Sequence, residues 1–406
     1  MKATRPSGGF DATPIALDDI SAALVRRGAP EIDLVRIPRA FRREPGAGAS
    51  LLDPRGKPMG AGIADPERGV LRIWSRDPVD RFDAGFFVAK LAAAIERRRE
   101  LSGGGPTDAF RLLHGDGDGL SGLAIDCWGR YLTLQAFGTG PWRWVEPITE
   151  ALKRLLTPRG IVAKLIPVDE TRSSAGRGKV TEEVVIGDAP PDVLTVHEDG
   201  IPFAVRLRGS RHAGLFTDMR DERRRVAAIA SGRRVLNLFA YTGAFSVVAA
   251  RAGAAEVITV DVVAKVLDWA KENFRLSGLD PAAHRFARMD AIEYLALARK
   301  KNWRFGAVIL DPPTFAAAGR TRWSLRRDYP RLLRAALEVL APGGYLWVCA
   351  NTSALGEEEL DEWIAATRQA SKRRLHGIAR AGQPVDYPAP EGFPRYRYLK
   401  IRVLRG

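Results

Sequence analysis

The residues LNLFAYTGAF, numbers 236–245, combine an apolar strand, a turn that contains Gly243 and the start of a helix. Glycine at such a turn lets the backbone approach a ligand closely, and the first turn of a helix presents free N–H groups to it. The G-x-G-x-x-G pattern of dinucleotide-binding proteins is absent, because Gly243 is the only glycine of the stretch. The stretch therefore favours a nucleoside ligand without a pyrophosphate over NAD.

From residue 196 onward, strand-like and helix-like segments alternate along the chain. Such alternation is typical of βαβ units, and it predicts an α/β domain whose ligand site lies beyond the carboxyl ends of parallel strands. The predicted strands are 235–239, 257–260, 305–310 and 345–350, and the predicted helices are 245–251, 263–276, 291–298 and 329–340.

Two acidic residues follow strands of this predicted sheet. Asp261 comes about twenty residues after the glycine turn, where a carboxylate can accept hydrogen bonds from both hydroxyls of a ribose. Asp290 follows the next strand region, where it could receive the exocyclic amine of an adenine. The alternative for Asp290 is an ordinary helix cap, since Asp is a preferred N-cap residue.

The motif Asp311-Pro312-Pro313-Thr314-Phe315 ends the fourth predicted strand. Two prolines fix φ and supply no N–H, so the strand ends in a rigid corner that exposes carbonyl groups. Such a corner suits a flat base, with Asp311 accepting its N–H groups and Phe315 stacking on it. The alternative is a proline loop that only ends the strand.

The part of the chain before residue 196 divides into two zones. Residues 1–78 are rich in Pro and Gly, and a predicted hairpin at 50–63 favours a small β-barrel. Residues 79–195 combine short strands with a helical pattern at 86–101, which predicts a central α+β domain. The remaining residues, 196–406, form the predicted α/β domain.

The charge balance favours a polyanionic partner. The chain has 63 Lys and Arg against 48 Asp and Glu, a net charge of +15, which fits nucleic acid, although Arg-rich composition can arise without any partner. Close after the proline corner lie four arginines, for which we predict phosphate contacts, the alternative being a solvated basic loop. They are Arg320, Arg322, Arg326 and Arg327.

Several classes of protein are disfavoured. Cys127 and Cys349 belong to no Cys or His cluster, and the five histidines lack the spacing of metal ligands, so we expect no metal site. The sequence has neither a run of about 18 apolar residues nor the apolar core of a secretory signal. We therefore expect a cytoplasmic protein without a membrane segment.

The ordered glycine turn, two strand-end acids and DPPTF motif resemble class I S-adenosylmethionine-dependent methyltransferases. More narrowly, the chain resembles the PUA-containing large-subunit ribosomal RNA methyltransferases, which comprise cytosine-C5 and guanine-N7 enzymes. The resemblance covers nearly the whole chain and includes residues 86–123, GLFTDMR at 214–220 and YRYLK at 396–400. It implies a Rossmann-like catalytic domain, a PUA-like RNA-binding barrel at 1–78, S-adenosyl-L-methionine as cofactor and ribosomal RNA as partner, and it leaves a homodimer open.

The resemblance also implies roles for single residues, with Asp218 and Arg220 at the methionine end of the cofactor. The implied cofactor-binding residues are Asp218, Arg220, Asn237, Phe239, Tyr241, Gly243, Asp261 and Asp290. The implied residues at the target base are Asp311, Pro312, Pro313, Phe315 and Asn351. The chain departs from the family at Met219, where the family has Gln, and at His212-Ala213, where it has Lys-Thr.

One further departure concerns the base atom that receives the methyl group. Cytosine-C5 methylation needs a thiolate close to the base, and the family's cytosine enzymes carry it where this chain has Asn351. Cys349 is either an offset nucleophile or a buried structural cysteine. Asn351 together with Asp311 resembles the guanine-N7 branch, in which the enzyme need only orient the attacking ring nitrogen. We therefore favour guanine N7.

Two other functions stay open from the sequence. The same fold methylates proteins and small molecules, since a fold does not determine its substrate. The chain could also be a non-catalytic RNA-binding assembly factor, although its complete set of strand-end acids argues against this.

Overall fold

The computed structural model describes residues 12–37, 41, 44–78, 81–103, 105–167, 180–318, 321–371 and 373–406. Its strands are β1 (Thr13–Ala16), β2 (Glu31–Asp33), β3 (Gly48–Leu52), β4 (Pro58–Asp65), β5 (Val70–Ser75), β6 (Ala109–His114), β7 (Leu123–Trp128), β8 (Tyr131–Phe137), β9 (Gly160–Ile166), β10 (Glu182–Gly187), β11 (Leu194–Glu198), β12 (Ile201–Val205), β13 (Arg234–Leu238), β14 (Glu256–Asp261), β15 (Arg285–Arg288), β16 (Phe305–Leu310), β17 (Phe315–Ala318), β18 (Thr321–Ser324), β19 (Leu340–Asn351), β20 (His376–Ala381) and β21 (Leu399–Arg405).

The helices that the structure describes are α1 (Asp19–Arg26), α2 (Ala84–Arg97), α3 (Arg99–Ser102), α4 (Gly115–Asp118), α5 (Thr139–Trp142), α6 (Val145–Leu156), α7 (Arg220–Ala230), α8 (Ala244–Arg251), α9 (Ala264–Leu276), α10 (Ala291–Lys300), α11 (Leu325–Val339) and α12 (Glu357–Ser371). Within the described ranges, none of the helices is long and apolar enough to span a bilayer.

Seven strands form the C-terminal sheet in the order β15-β14-β13-β16-β19-β21-β20. All are parallel except β21, which runs antiparallel to both of its neighbours. The strand order reverses between β13 and β16, and open parallel sheets bind ligands at such a reversal, beyond the carboxyl ends of their strands. The predicted parallel α/β sheet is confirmed, and its topology marks the edge where a ligand site belongs.

Both faces of this sheet are buried. Val235 and Ile309 pack into one hydrophobic cluster, whereas their chain neighbours Leu236 and Leu310 pack into another on the opposite face. Strands buried on both faces read as nearly continuous apolar runs, which is why β13 and β16 were evident in the sequence.

The central sheet has the order β10-β9-β8-β7-β6 and two unlike faces. Leu132 and Leu134 of β8 pack into an apolar cluster that also holds residues of α2 and α6. The alternate residues Thr133 and Gln135 point the other way, into a cleft shared with the C-terminal domain. The period of two along a strand thus gives the central sheet a polar inner face.

The N-terminal sheet has the order β1-β3-β4-β5-β2 and is joined to the central domain by Arg72 of β5. The buried Arg72 guanidinium pairs with Asp65 at 2.7 Å and donates to the carbonyl of Phe137 at 2.7 Å. This charge-assisted contact ties the small β domain to the edge of the cleft.

Two predicted elements differ from the structure. The helix expected over 86–101 divides at Arg98, because the Arg98 guanidinium turns inward and binds both oxygens of the buried Asp118 at 2.9 and 2.7 Å. The segment after DPPTF, for which a basic loop was expected whether or not it contacts phosphate, contains the hairpin β17–β18. Both outcomes depend on tertiary contacts that a local pattern does not encode.

Candidate active site

A cleft of about 690 Å³ lies where the carboxyl ends of the C-terminal strands face the polar inner face of the central sheet. The C-terminal domain lines it with the segment 211–218, Tyr241, Phe315 and Asn351. The central domain contributes residues that include Gln135, and the N-terminal domain reaches the same cavity through arginines of β5 and the preceding turn. The cleft is therefore built from all three parts of the chain.

The glycine turn after β13 has an unusual backbone. Phe239 and Tyr241 have positive φ angles of 58° and 50°, and Gly243 follows with 76°. Left-handed non-glycine residues are strained and tend to occur at functional sites. A Cβ on Gly243 would lie 2.7 Å from the Cβ of Ala270, so only glycine allows α8 and α9 to pack this closely.

Asp261, at the end of β14, supports the same turn. Its carboxylate oxygens accept the backbone N–H groups of Tyr241 and Val263, each at 3.0 Å, and burial raises the pKa of this carboxyl group. The backbone of the turn is therefore held at the edge of the cleft by the predicted ribose acid.

Asn237 and Asp290 have local structural contacts. The Asn237 amide is buried and donates to the hydroxyl of Ser246 at 3.0 Å, so its side chain supports β13 from within and does not line the cleft. One oxygen of Asp290 accepts the N–H groups of Ile292 and Glu293 at 2.8 and 3.2 Å, which caps α10. Asp290 therefore acts as a helix cap through one of its two carboxylate oxygens.

Asp218, which lines the cleft, and Asp311 influence each other electrostatically. Burial raises the pKa of Asp218, whose carboxylate accepts a hydrogen bond from the Tyr398 hydroxyl at 2.7 Å. Burial and the charge of Asp218 together raise the pKa of Asp311 to about 7. Within the part of the chain that the structure describes, no group donates a hydrogen bond to the Asp311 carboxylate.

The arginines around these two acids are bound to other carboxylates. Arg111 pairs with Asp126 at 2.5 Å, and Arg223 pairs with Glu198 at 2.5 Å. Among the described residues, neither Asp218 nor Asp311 forms an ion pair with a cationic side chain, and the pKa of each carboxyl group is raised. These two carboxyl groups fit a cationic ligand, such as the ammonium and sulfonium groups of S-adenosylmethionine.

Arg220 has a different position from the one expected at the cofactor. Its guanidinium is buried and binds Asp386 at 2.7 and 3.3 Å, and Arg220 is not among the residues that line the cleft. Asp386 also accepts the backbone N–H of Arg111 at 3.1 Å. Arg220 thus holds the segment between β20 and β21 through Asp386, and Arg98 and Arg111 of the central domain also donate to Asp386.

The DPPTF corner is rigid and presents its aromatic ring. The carbonyl of Pro313 accepts the indole N–H of Trp323 at 2.7 Å, and the Thr314 hydroxyl donates to the carbonyl of Asn351 at 3.1 Å. The Phe315 ring is 46% exposed and lines the cleft beside Asn351. Phe239 packs on Trp323 with ring centroids 5.1 Å apart, so the glycine turn and the corner support each other.

Cys349 lies inside the sheet. Its side chain is fully buried, it is not among the cleft residues, and burial raises the pKa of its thiol well above the usual value. Its carbonyl accepts the Tyr329 hydroxyl at 2.6 Å. These surroundings disfavour a thiolate and are typical of a structural cysteine.

The predicted phosphate contacts receive little support from local geometry. Arg326 is paired with Glu359 and with the carbonyl of Ala354, and Arg327 is exposed beside Asp328 at 2.8 Å. Arg320 and the side chain of Arg322 lie outside the described residues.

Sequence reasoning did not identify the tyrosines of the cleft. The Tyr387 hydroxyl lies 2.6 Å from the Thr217 hydroxyl, and the Arg111 guanidinium stacks 4.6 Å from the centre of its ring. Tyr398 holds Asp218, as described above. The repeated tyrosines of the closing segment were a signal, but their distance in sequence from Asp218 concealed the contact.

The strand order, the glycine turn and the strand-end acids together define a class I S-adenosylmethionine-dependent methyltransferase. Residues 176–400 match the family described as S-adenosylmethionine-dependent methyltransferase. The crystal structure of SMU.776 complexed with SAH shares this fold, with a TM-score of 0.85 at 23% identity over 97% of this chain and 100% of that chain.

The curated relatives cover most of the chain. YwbD of Bacillus subtilis is 33% identical over 83% of this chain and 85% of its own length. Ribosomal RNA large subunit methyltransferase I of Erwinia tasmaniensis is 31% identical over 88% of this chain and 90% of its own length. The chain therefore belongs to the S-adenosylmethionine-dependent methyltransferase family, and S-adenosylmethionine is its cofactor.

Proposed function

We propose that the chain is a cytoplasmic ribosomal RNA methyltransferase that modifies a base of the large subunit, with guanine N7 favoured over cytosine C5. Relatives from Erwinia tasmaniensis and Deinococcus radiodurans, each 31% identical, carry the name ribosomal RNA large subunit methyltransferase. The net charge of +15 and a cleft that extends from the catalytic corner to basic residues of the N-terminal domain support RNA as the substrate.

The observation that carries the proposal is that Asp218 and Asp311 have no ion-pair partner among the described residues, together with the exposed ring of Phe315. Asp218 would bind the ammonium of the cofactor, while Asp261 and Asp290 would bind its ribose and adenine. S-adenosylmethionine supplies an electrophilic methyl group when bound. Asp311 would accept N–H groups of the target base and Phe315 would stack on it, so that the attacking ring nitrogen is oriented towards that methyl group.

The choice of guanine N7 rests on two neighbouring positions of β19. Asn351 lies in the cleft, where an amide can orient a base but cannot attack it. Cys349 lies in the apolar core with a raised thiol pKa. A covalent cytosine mechanism needs a thiolate at the base, whereas guanine N7 is itself the nucleophile.

Several parts of this proposal stay predictions. They are the division into a PUA-like barrel at 1–78, a central domain at 79–195 and a catalytic domain at 196–406, together with a homodimer and the phosphate contacts of the arginines that follow DPPTF.

The direct test is incubation of the purified protein with labelled S-adenosylmethionine and unmodified ribosomal RNA, followed by mass spectrometry of the nucleosides. We expect N7-methylguanosine in the RNA. A 5-methylcytidine product would overturn the choice of base. Binding of the cofactor without any labelled RNA would instead favour a protein or a small molecule as the methyl acceptor.

A further inference from the structure

Two exposed phenylalanine rings line the cleft, and the proposed function uses one of them. Phe216 is 37% exposed and Phe315 is 46% exposed, and among the described residues they are the aromatic members of the exposed large apolar side chains. Both lie in the same cavity. An exposed aromatic ring has lost little water on folding, so its position in a cleft suggests that a ligand covers it.

Phe216 packs among aromatic rings that are tilted relative to it. The centroid of its ring lies 5.2 Å from that of His212 and 5.2 Å from that of Tyr241. The neighbouring Arg211 guanidinium lies 5.3 Å from the centre of the Phe137 ring on the central sheet. We call Arg211, His212 and Phe216 the stacking platform, because all three are flat side chains that line the cleft.

The backbone that carries the stacking platform is held by side chains from two domains. Each donates a hydrogen bond to a carbonyl of the segment 210–216. The pairs are Lys164 with Ser210 (2.5 Å), Gln135 with Arg211 (2.9 Å), Thr242 with Gly214 (2.5 Å) and Arg223 with Phe216 (2.8 Å). Lys164 and Gln135 come from the polar inner face of the central sheet. The platform is therefore fixed before any ligand arrives, which lowers the entropic cost of binding.

The tight packing of Gly214 supports the same conclusion. Its φ is +111°, and a Cβ at this position would lie 2.2 Å from the indole ring of Trp269. The backbone at Gly214 therefore packs directly against Trp269, and only glycine fits at this position of the segment.

The position of the platform indicates what would cover Phe216. The cavity runs from the corner at Phe315, past the platform, to Arg68 and Arg72 of the N-terminal domain. Arg68, Arg72 and Arg211 along this course favour a long anionic ligand, although Glu31, which lies 3.7 Å from Arg72, and Asp116 line the same cavity. Aromatic rings interleaved with cations along a basic groove are typical of single-stranded nucleic acid binding, in which bases stack on the rings.

We propose that the stacking platform binds the nucleotide adjacent to the target nucleotide, with its base on Phe216 and its phosphate towards Arg211. This inference rests on the proposed function, because it requires an RNA substrate. Lys164 and Gln135 are positioning residues that act through the backbone of the platform. The site recognises a base face and a phosphate, so it tolerates any base at this position.

The test separates RNA binding from cofactor binding. Phe216→Leu removes the aromatic face at similar volume, Phe216→Tyr restores it, and Ile378→Ala serves as the control because Ile378 is 53% exposed and outside the cleft. The affinity of each variant for a fluorescent mixed-sequence single-stranded RNA of about ten nucleotides is measured by anisotropy. The affinity for S-adenosylmethionine is measured by calorimetry, and circular dichroism confirms folding.

We expect Phe216→Leu to weaken RNA binding by about fivefold or more, which is the smallest effect of one lost stacking contact. Phe216→Tyr and Ile378→Ala should bind RNA like the wild type, and all variants should bind the cofactor equally. Unchanged RNA affinity of Phe216→Leu, or absence of RNA binding by the wild type, would overturn the inference. A loss confined to cofactor affinity would overturn it too, because Phe216 would then belong to the cofactor site.

The failure of this inference is distinguishable from the failure of the proposed function. If the wild type methylates ribosomal RNA and Phe216→Leu binds RNA normally, only the platform is disproved. If the wild type methylates no RNA, the proposed function itself fails.

Discussion

Asp386 and Asp311 are carboxylates of the same domain, but their surroundings are opposite. Asp386 is fully buried and binds the Arg220 guanidinium at 2.7 Å, as Asp118 binds Arg98 in the central domain. Asp311 is half-buried, has no donor among the described groups and has a pKa raised to about 7. A buried charge of structural use is paired, whereas an acid that binds a ligand keeps its hydrogen-bonding capacity for that ligand.

The difference also separates two regions of the molecule. Beneath the segment 382–398, the arginine–acid pairs Arg220–Asp386 and Arg98–Asp118 each lie within one domain, and Asp386 joins the domains by accepting hydrogen bonds from Arg98 and from the backbone of Arg111. In contrast, Asp218 and Asp311 have no cationic ion-pair partner among the residues that the structure describes. The first arrangement stabilises the fold, and the second costs stability in exchange for binding.

The largest expected effect comes from breaking the paired region. Arg220→Met leaves the Asp386 carboxylate buried without its guanidinium, which should lower the free energy of unfolding by about 3–5 kcal/mol. Urea unfolding measures this loss, and Asp386→Asn in the same chain should restore part of it. A loss below about 1 kcal/mol would show that the pair is not structural. If the restored double variant still fails to bind cofactor, Arg220 has the cofactor role that the family resemblance implies.

The second largest effect is expected on methyl transfer when Asp311 is replaced. Asp311→Asn keeps the shape but removes the charge that would accept N–H groups of the base, so methyl transfer should fall by at least about a hundredfold. Calorimetry should show nearly unchanged affinity for S-adenosylmethionine. The exposed Asp280, which caps a short turn, provides the matched control Asp280→Asn with normal activity. Equal loss of transfer and cofactor affinity would place Asp311 in the cofactor site instead.

The same substitution should stabilise the protein. Because the pKa of Asp311 is raised from 3.8 to about 7, the folded state binds the proton more tightly than the unfolded state, and stability is lost as the pH rises through this window. Asp311→Asn should therefore raise the free energy of unfolding by on the order of 2 kcal/mol at pH 8, and by less at pH 5. Thermal unfolding at both pH values measures the gain. An equal gain at both would show that the pKa is not raised.

A smaller effect is expected in the pH dependence of the wild-type enzyme. Only the ionised Asp311 can accept hydrogen bonds with both oxygens, so the transfer rate at limiting substrate should rise with pH to a plateau and reach half of that plateau near pH 7. At pH 6 it should be about tenfold below the plateau. The residual transfer rate of the Asp311→Asn variant should not show this rise with pH. A step of the same size in the variant would assign the titration to another group.

The smallest effect is expected at Cys349. Cys349→Ala should retain methyl transfer within about twofold, because the buried thiol is not a thiolate at neutral pH. It should lose about 1 kcal/mol of stability from the small cavity in the core. A folded but inactive Cys349→Ala enzyme would revive the covalent cytosine mechanism.

The sequence was most informative where the signals are local. The apolar strand before Gly243, the two prolines after Asp311 and the alternating helices predicted the C-terminal sheet and its ligand edge. Asn237 and Arg220 were less predictable. Both belong to family motifs, but the side chain of one supports a strand and the other binds Asp386. A motif shows where a residue lies along the chain, but not which way its side chain turns.

The sequence by itself determined the alternation of strands and helices in the C-terminal domain and the acids at its strand ends. The reason is that hydrophobic periodicity and turn-forming residues act over a few neighbouring positions. Only the tertiary structure decided which acids stay unpaired. Arg220 and Asp386 are 166 positions apart, and Tyr398 reaches Asp218 across 180 positions. Whether a carboxylate meets an arginine, a tyrosine hydroxyl or an open cleft depends on how distant segments pack, and that packing sets its charge and its function.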